Sequence, residues 1–363
     1  MEKIKIDTAI FLMFIIVAVL FLLTVIEPYK VISIVEWKTI FTLFYILVIV
    51  NLLKDSKFLE WISLSLLNCT KRIYIMLIIL TLIMSSIITN DIALFVIIPI
   101  TGIVSKYIQM SSRDLEKLFI FEGISANIGS TLTPIGNPQN LFIFYHYHLT
   151  IFEFIKNMIP YELCGILVLL PFLNFNTCSL FTTKKPFYFK NMEFKNEWMA
   201  YILIFILVVL SALNIVNYIY LFPIMVIILI LKRIKIDYLF LLTFCALFID
   251  IEGIKHLGIM NLFFIQWNSI ALMIYSSILS QILSNVPATI LLSNLYSNWI
   301  PIAYGVNVGG NGTLIASFAN LITLRLSSGK IGVIRFLIFG GTIYLLHLTA
   351  LIIYMTVANT ALL

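Results

Sequence analysis

Three long stretches of this chain carry no Asp, Glu, Lys or Arg: residues 8–26, 199–231 and 336–363. A helix needs about 20 consecutive apolar residues to cross the hydrocarbon core of a bilayer. The middle stretch has room for two short spans, parted near Asn214 and Asn217. Of 363 residues, 61% are hydrophobic and only 11% charged, and mean hydropathy is +1.08. An ordinary soluble domain carries about a quarter charged residues, so too little polar surface exists here to face water on all sides. Membrane strands alternate apolar and polar residues over about ten positions, whereas these runs are continuous Ile, Leu, Phe and Val. The sequence therefore predicts an all-α polytopic membrane protein with about ten or eleven membrane segments. The first run follows Lys3, Lys5 and Asp7, is long for the apolar core of a signal peptide and lacks a small-residue cleavage site, so a retained helix is expected.

The net charge of +6 and pI of about 9.0 read as the Lys/Arg bias of cytoplasmic loops, not as affinity for nucleic acid. Cys69, Cys164, Cys178 and Cys245 have no C-x-x-C spacing and read as small apolar packers or free thiols, not as a metal site. Lys184, Lys185, Lys190 and Lys195 mark residues 184–197 as a cytoplasmic linker between an N-terminal half (1–183) and a C-terminal half (198–363).

The two halves share an order of segments. SSIITNDIALFVIIPIT (85–101) and SQILSNVPATILLS (280–293) each hold a short polar sequence between apolar arms too short for two full crossings. This is the pattern of a re-entrant helical hairpin, placed at about 73–105 and 268–298. The loops that follow, SANIGSTLTPIGNPQNLFI (125–143) and GVNVGGNGTLIASFANLI (305–322), align Asn127 with Asn307, Gly129 with Gly309 and, less closely, Asn140 with Asn320. Gly, Asn and Pro there predict helices broken in mid-membrane, at about 115–150 and 300–325. Lys71, Arg72, Lys106, Arg113 and Lys117 flank the first hairpin, while the second lies in a charge-free stretch from His256 to Leu324, with Trp267 and Trp299 at its ends. The first hairpin should then open to the cytoplasm and the second to the outside, as two inverted-topology repeats require. Lys232, Arg233, Lys235 and the segment from Arg325 to Arg335 fall on the cytoplasmic side of the same threading, as does the N-terminus.

Helices broken at the midplane present unpaired N–H groups to anions and free carbonyls to cations. Asn90, Asn127, Asn137, Asn140, Asn285, Asn307, Asn311 and Asn320 add many amides to apolar surroundings. They either bind a ligand or cap the broken ends. Two acids stand alone: Asp91 between Arg72 and Lys106, and Glu122 between Lys117 and Glu153. A carboxylate in the membrane costs several kcal/mol unless paired, cation-bound or protonated, and so marks a function. Asp91, at the hairpin tip, can bind a coupling cation or cycle a proton; the alternative is a helix N-cap. His146 and His148 read as interfacial, and His347 as a packing or hydrogen-bonding residue of the closing helix.

The segments TND-IALFVIIPIT, NIGSTLTPIGNPQN, SNVPATILLS and GVNVGGNGTLIASFAN, in this order, resemble the ion transporter superfamily. That group includes arsenite permeases, related sodium/proton antiporters, citrate–metal transporters and divalent anion/sodium symporters. The resemblance covers most of the chain. It implies a substrate site in which one tip, Thr89, Asn90 and Asp91, faces Asn127, Gly129, Thr133, Gly136, Asn137 and Pro138. The other tip, Ser284, Asn285 and Val286, would face Asn307, Gly309, Gly310, Thr313 and Asn320. Asp91 stands where the symporters have Thr, as in arsenite-permease-like members, and Val286 replaces the second Thr. These departures favour proton coupling or one Na+ site near Asn90, Asp91 and Asn285. The resemblance also implies a homodimer whose site domain moves against a scaffold.

The expected function is cation- or proton-coupled movement of a small anion across the cell membrane, with Asp91 and Glu122 as coupling groups and no cofactor beyond a coupling Na+. Arsenite/antimonite efflux, sodium/proton antiport and, less readily, a channel are the alternatives. No H-E-x-x-H, G-x-G-D, G-x-S-G or Walker A motif occurs, so neither an intramembrane enzyme nor an ATP-driven pump is expected.

Overall fold

The computed structural model of the chain describes residues 6–35, 37–58, 61, 73–173, 195–212, 215–257, 268–327 and 329–360. Cys69, Lys71, Arg72, Cys178, Asn214, Trp267 and linker residues 184–194 lie outside them. Every regular element among the described residues is helical. The outer elements are α1 (Ile6–Thr24), α2 (Val31–Ile34) and α3 (Trp37–Asp55) in the first half, with α9 (Asn196–Ala212), α10 (Tyr218–Leu231) and α11 (Tyr238–His256) in the second. α1 packs on α11, and α3 on α9 and α10. The α3–α10 contact is aromatic: Phe41 lies between Tyr45, Tyr218 and Phe222, and the Tyr45 hydroxyl donates to the Tyr218 carbonyl at 2.7 Å. The charge-free middle run is parted as the sequence predicts, with Asn217 capping α10 by accepting from the Ile219 amide.

The first hairpin is α4 (Ile73–Ile87) followed by α5 (Asn90–Tyr107), and the second is α12 (Ser269–Leu283) followed by α13 (Asn285–Ser293). The α5 arm is longer than its apolar core suggests. At 18 residues it measures about 27 Å, because the helix continues past Thr101 to a polar end at Lys106. The 9-residue α13 arm is about half that length.

The broken helices follow: α6 (Ser112–Gly129) and α7 (Pro138–His146), then α14 (Trp299–Gly309) and α15 (Phe318–Leu326). Short polar side chains start these pieces. Ser111, Asn137, Asn298 and Ser317 each accept from a backbone amide of the first turn, which replaces one of the bonds a helix start lacks. Two long helices close the halves, α8 (Ile151–Leu173) and α16 (Val333–Thr360), and pack on each other. Both are apolar and long enough to cross a bilayer. Their outward faces are greasy, with Leu167 63% exposed and Ile353 60% exposed, while polar side chains collect inside. This is the reverse of a water-soluble bundle.

Contacts repeat between the halves. Each hairpin packs on its own broken helix, α4 and α5 on α6, and α12 and α13 on α14. Each outer hairpin arm also reaches the far piece of the other half's broken helix, α5 on α15 and α13 on α7. The approach of α4 to α6 and of α12 to α14 is close enough to require glycine. A Cβ on Gly129 would strike the Leu82 carbonyl and the Ser85 side chain, and one on Gly309 would lie 2.7 Å from the Ser277 carbonyl and the Ser280 Cβ. Gly129→Ala and Gly309→Ala should each cost about 1–3 kcal/mol, seen as a lower unfolding temperature of detergent-solubilised protein, whereas Gly102→Ala, with open space around it, should not.

Candidate functional site

At the first tip the chain leaves α4, turns through an extended Thr89, and re-enters helix at Asn90. Thr89, not Asp91, is the cap: its hydroxyl oxygen accepts from the Ile92 amide, and the Asn90 side-chain oxygen accepts from the Asp91 amide. Asp91 is thus relieved of the capping role that its position suggests. Its carboxylate is 6% exposed, and its Oδ1 has no hydrogen-bond partner. The second tip turns at Ser284 with φ 75° and ψ 157°, a conformation held at a cost of about 1–3 kcal/mol in a residue with a Cβ. The Asn285 amide donates to the Ala316 carbonyl at 2.8 Å, which fixes this tip to the second loop.

The two loops meet in a lattice of amides. Asn127 Nδ2 donates to Asn320 Oδ1 at 2.9 Å, and Asn307 Nδ2 donates to Asn140 Oδ1 at 2.7 Å. Under the alignment of Asn127 with Asn307 and Asn140 with Asn320, these are the same bond made twice. The pattern extends further. The Asn137 side chain donates to Asn307 Oδ1 at 3.1 Å, and Ser317 donates to Asn127 Oδ1 at 3.1 Å. Asn140 donates to the carbonyls of Ser130 and Thr131, and Asn320 to those of Gly310 and Thr313. Thr133 donates to the Ser86 carbonyl of the first hairpin, and Thr313 to the Gln281 carbonyl of the second. Asn127 also accepts from Asn90 at 3.2 Å, so this one side chain touches the first tip and the second loop together.

Thr89, Asn90, Asn127, Asn137, Asn140, Ser284, Asn285, Asn307 and Asn320 are all buried; Thr133 and Thr313 are half-buried. Gly136 presses against the Ser130 carbonyl, Gly310 lies beside the Asn285 amide, and Pro138 opens α7. Among the described residues no group of three His, Cys, Asp or Glu side chains can hold a metal ion. Glu122 lies apart from the amide lattice. It is fully buried in α6, accepts from the Thr101 hydroxyl, and its Oε2 is without a partner.

Sequence reasoning missed some of the site. Gln139 donates to Asn307 at 3.0 Å, and Ser317 closes the lattice at Asn127. Two more buried acids, Glu162 and Asp250, also escaped it. Glu162 is the only charged residue between Lys156 and Lys184, and the criterion that singled out Asp91 finds it as well. Asp250 sits two residues from Glu252 and so does not look solitary, though both its oxygens are without partners. A cavity of about 210 Å³, lined by Asn51, Ile92, Phe95, Lys235, Asp237 and Arg325 among others, reaches the residue next to Asp91.

An apolar-surfaced helical bundle whose two broken helices converge on a buried polar centre is the architecture of a membrane transporter. The chain belongs to the citrate transporter family (CitMHS), which matches residues 1–298. It is 60% identical over 351 residues to the uncharacterized transporter MJ0456 of Methanocaldococcus jannaschii, covering 96% of this chain and 98% of that protein. It is 30% identical over 309 residues to the inner membrane protein YbiR of Escherichia coli, covering 82% and 81%. A shorter match, 31% over 176 residues, covers 45% of this chain and 31% of the putative transporter arsB of Dictyostelium discoideum.

Asn127→Ala removes donors and an acceptor from both loops at once and should cost about 1–3 kcal/mol. Ser284→Gly should do the opposite, raising the unfolding temperature by relieving its backbone. Thermal unfolding of both variants in one detergent gives the two signs side by side.

Proposed function

We propose that this protein is a secondary active transporter that carries a small anion, a carboxylate or an inorganic oxyanion, across the cell membrane in exchange for the free energy of an H+ or Na+ gradient. One observation carries this reading: the buried amide lattice touches the first hairpin tip, where Asp91 has a carboxylate oxygen without a partner. A buried, unpaired carboxylate invites a cation or a proton, and the adjoining amides and helix ends offer neutral donors to an anion. Thr89, Asn90, Asn127, Asn285 and Asn307 with their neighbours form the proposed substrate site, and Asp91 and Glu122 the proposed coupling groups.

Alternating access would follow from two inverted-topology repeats, residues 1–183 and 198–363, each with a re-entrant hairpin. Support comes from the ends of the bundle. Near the start of α6, Glu116 pairs with Arg335 and accepts from the Gly332 amide, next to the end of α15. Near the end of α7, Tyr147 donates to the Tyr296 carbonyl, next to the start of α14. The basic residues Arg113, Lys117 and Arg335 thereby gather at one end, the proposed cytoplasmic side. Operation as a homodimer is part of the same proposal.

A second reading rests on the amide-only lining. Asn127, Asn137, Asn140, Asn307 and Asn320 supply no positive side chain to the lattice, which suits a weakly acidic hydroxylated oxide taken as its neutral form. The relatives include proteins named putative transporter arsB and silicon efflux transporter LSI3, the latter from Oryza sativa.

Purified protein in liposomes, given labelled citrate, succinate, sulfate, phosphate, arsenite and silicic acid under imposed Na+ and H+ gradients, separates these readings. Accumulation of one anion only with a gradient, abolished or uncoupled by Asp91→Asn, is the expected outcome. Movement of arsenite or silicic acid alone favours the second reading. An internal pH response to Na+ without any added solute replaces both with cation antiport.

A further inference from the structure

The two loops share their asparagines, Asn127 with Asn307 and Asn140 with Asn320, but differ at a buried position between them. Thr131 corresponds to Asn311, each two residues past the glycine that ends the first helical piece. Asn311 is fully buried, and neither its Oδ1 nor its Nδ2 has a partner. Thr131 is also fully buried, but its hydroxyl lies 2.8 Å from Glu162 Oε2 on α8 and 2.7 Å from the Ile128 carbonyl. A hydroxyl has one proton to give, so these two acceptors compete for it.

The charge on Glu162 decides the competition. An ionised carboxylate is the stronger acceptor; it accepts the hydrogen bond from the Thr131 hydroxyl, and Thr131 is then the donor in the link between the first loop and α8. A protonated carboxyl group becomes a donor itself: it gives its proton to Thr131 Oγ1, and Thr131 turns its own to the Ile128 carbonyl. The Thr131 backbone carbonyl meanwhile accepts from Asn140, which accepts from Asn307. Glu162 is thus linked to Asn307 of the lattice through Thr131 and Asn140.

We propose that Glu162 is a positioning residue of the transport site, holding the first broken-helix loop through Thr131 in one arrangement when ionised and another when protonated. The second loop has no such tie, so a proton at this position acts on one half of the site only. The ionisable groups packed around Glu162 are few. Tyr161 and Cys164 lie on its own helix, Tyr304 comes from α14 with its ring 5.6 Å from that of Tyr161, and His347 comes from α16. His347 Nε2 is engaged by the Tyr161 carbonyl at 3.2 Å, and α6 and the loop present Ile128, Ser130 and Thr131, none of which titrates. No Lys or Arg lies on α8 after Lys156.

The functional consequence rests on the transport reading above, whereas the loop's response to pH does not. Hydrogen exchange of backbone amides 130–141, followed by mass spectrometry in lipid nanodiscs and corrected for intrinsic chemistry, should change with pH in the wild type. That pH response should vanish in Glu162→Gln and in Thr131→Val and return in Thr131→Ser, with unfolding temperatures of Glu162→Gln and Thr131→Ser close to wild type. In liposomes, Glu162→Gln should lose one ionisation from the pH profile of transport while Asp91→Asn loses coupling altogether. A pH response of the loop unchanged in Glu162→Gln overturns the proposal, as does one that disappears in Thr131→Ser. If the loop responds as stated but no solute moves, the transport reading fails and the tie stands.

Discussion

Breaking a helix inside an apolar bundle frees backbone carbonyls and amides that no water reaches, and the centre of this protein is arranged around that debt. At the first break the Ser130 and Thr131 carbonyls accept from Asn140, and at the second the Gly310 and Thr313 carbonyls accept from Asn320. Each of these asparagines then passes its own oxygen to the asparagine that ends the other half's first piece, Asn140 to Asn307 and Asn320 to Asn127. The carbonyls of each break are met within their own half, and the asparagines that meet them are in turn met by the other half. The two halves are held in register by polar bonds at their least polar depth, where an unmade hydrogen bond costs most.

That crossed arrangement explains the glycines and the short arms. For Asn127 to reach Asn320, the end of α6 must lie against the second loop, and α4 must let it through. Gly129 provides that clearance, and Gly309 does the same beside α12. The hairpins are then clamped from the loop side, by Thr133 to the Ser86 carbonyl and by Thr313 to the Gln281 carbonyl. Hairpins and broken helices pack together through these bonds, while α3 and α10 meet mainly through aromatic contact, with one hydrogen bond from Tyr45 to the Tyr218 carbonyl.

Much of this was legible in the sequence because the constraint writes itself in rare residue types. Asparagine and glycine at matched intervals in an Ile- and Leu-rich chain have few other uses, so the helix breaks after Gly129 and Gly309 and the alignment of Asn127 with Asn307 could be read directly. Partners of the amides could not. The lattice joins residues about half the chain apart, and Ser317 or Gln139 carries no local sign of reaching the opposite loop. Asp91 was ambiguous for a different reason: a carboxylate at the first turn of a helix is a common cap, and only the geometry of Thr89 and Asn90 shows the caps already in place. Glu162, a lone acid in a closing helix, meets the same criterion as a lone acid at a tip.

The departures from symmetry say more about function than the symmetry does. A lattice made identically in both halves fixes a position and has no reason to favour one direction. Direction requires a group that one half has and the other lacks. The first tip has Asp91 where the second has Val286, and the first loop has Thr131 tied to Glu162 where the second has a buried Asn311 without a partner. Asp91 stands at the first tip, and Glu162 accepts from Thr131 of the first loop. Under the coupled transport proposed above, two carboxylates with different neighbours, acting on a centre otherwise built from neutral amides, would make the affinity for a small solute depend on the occupancy of a cation or proton. On that proposal the neutral amides bind the solute, which alone cannot be driven, and the asymmetry supplies the means of driving it.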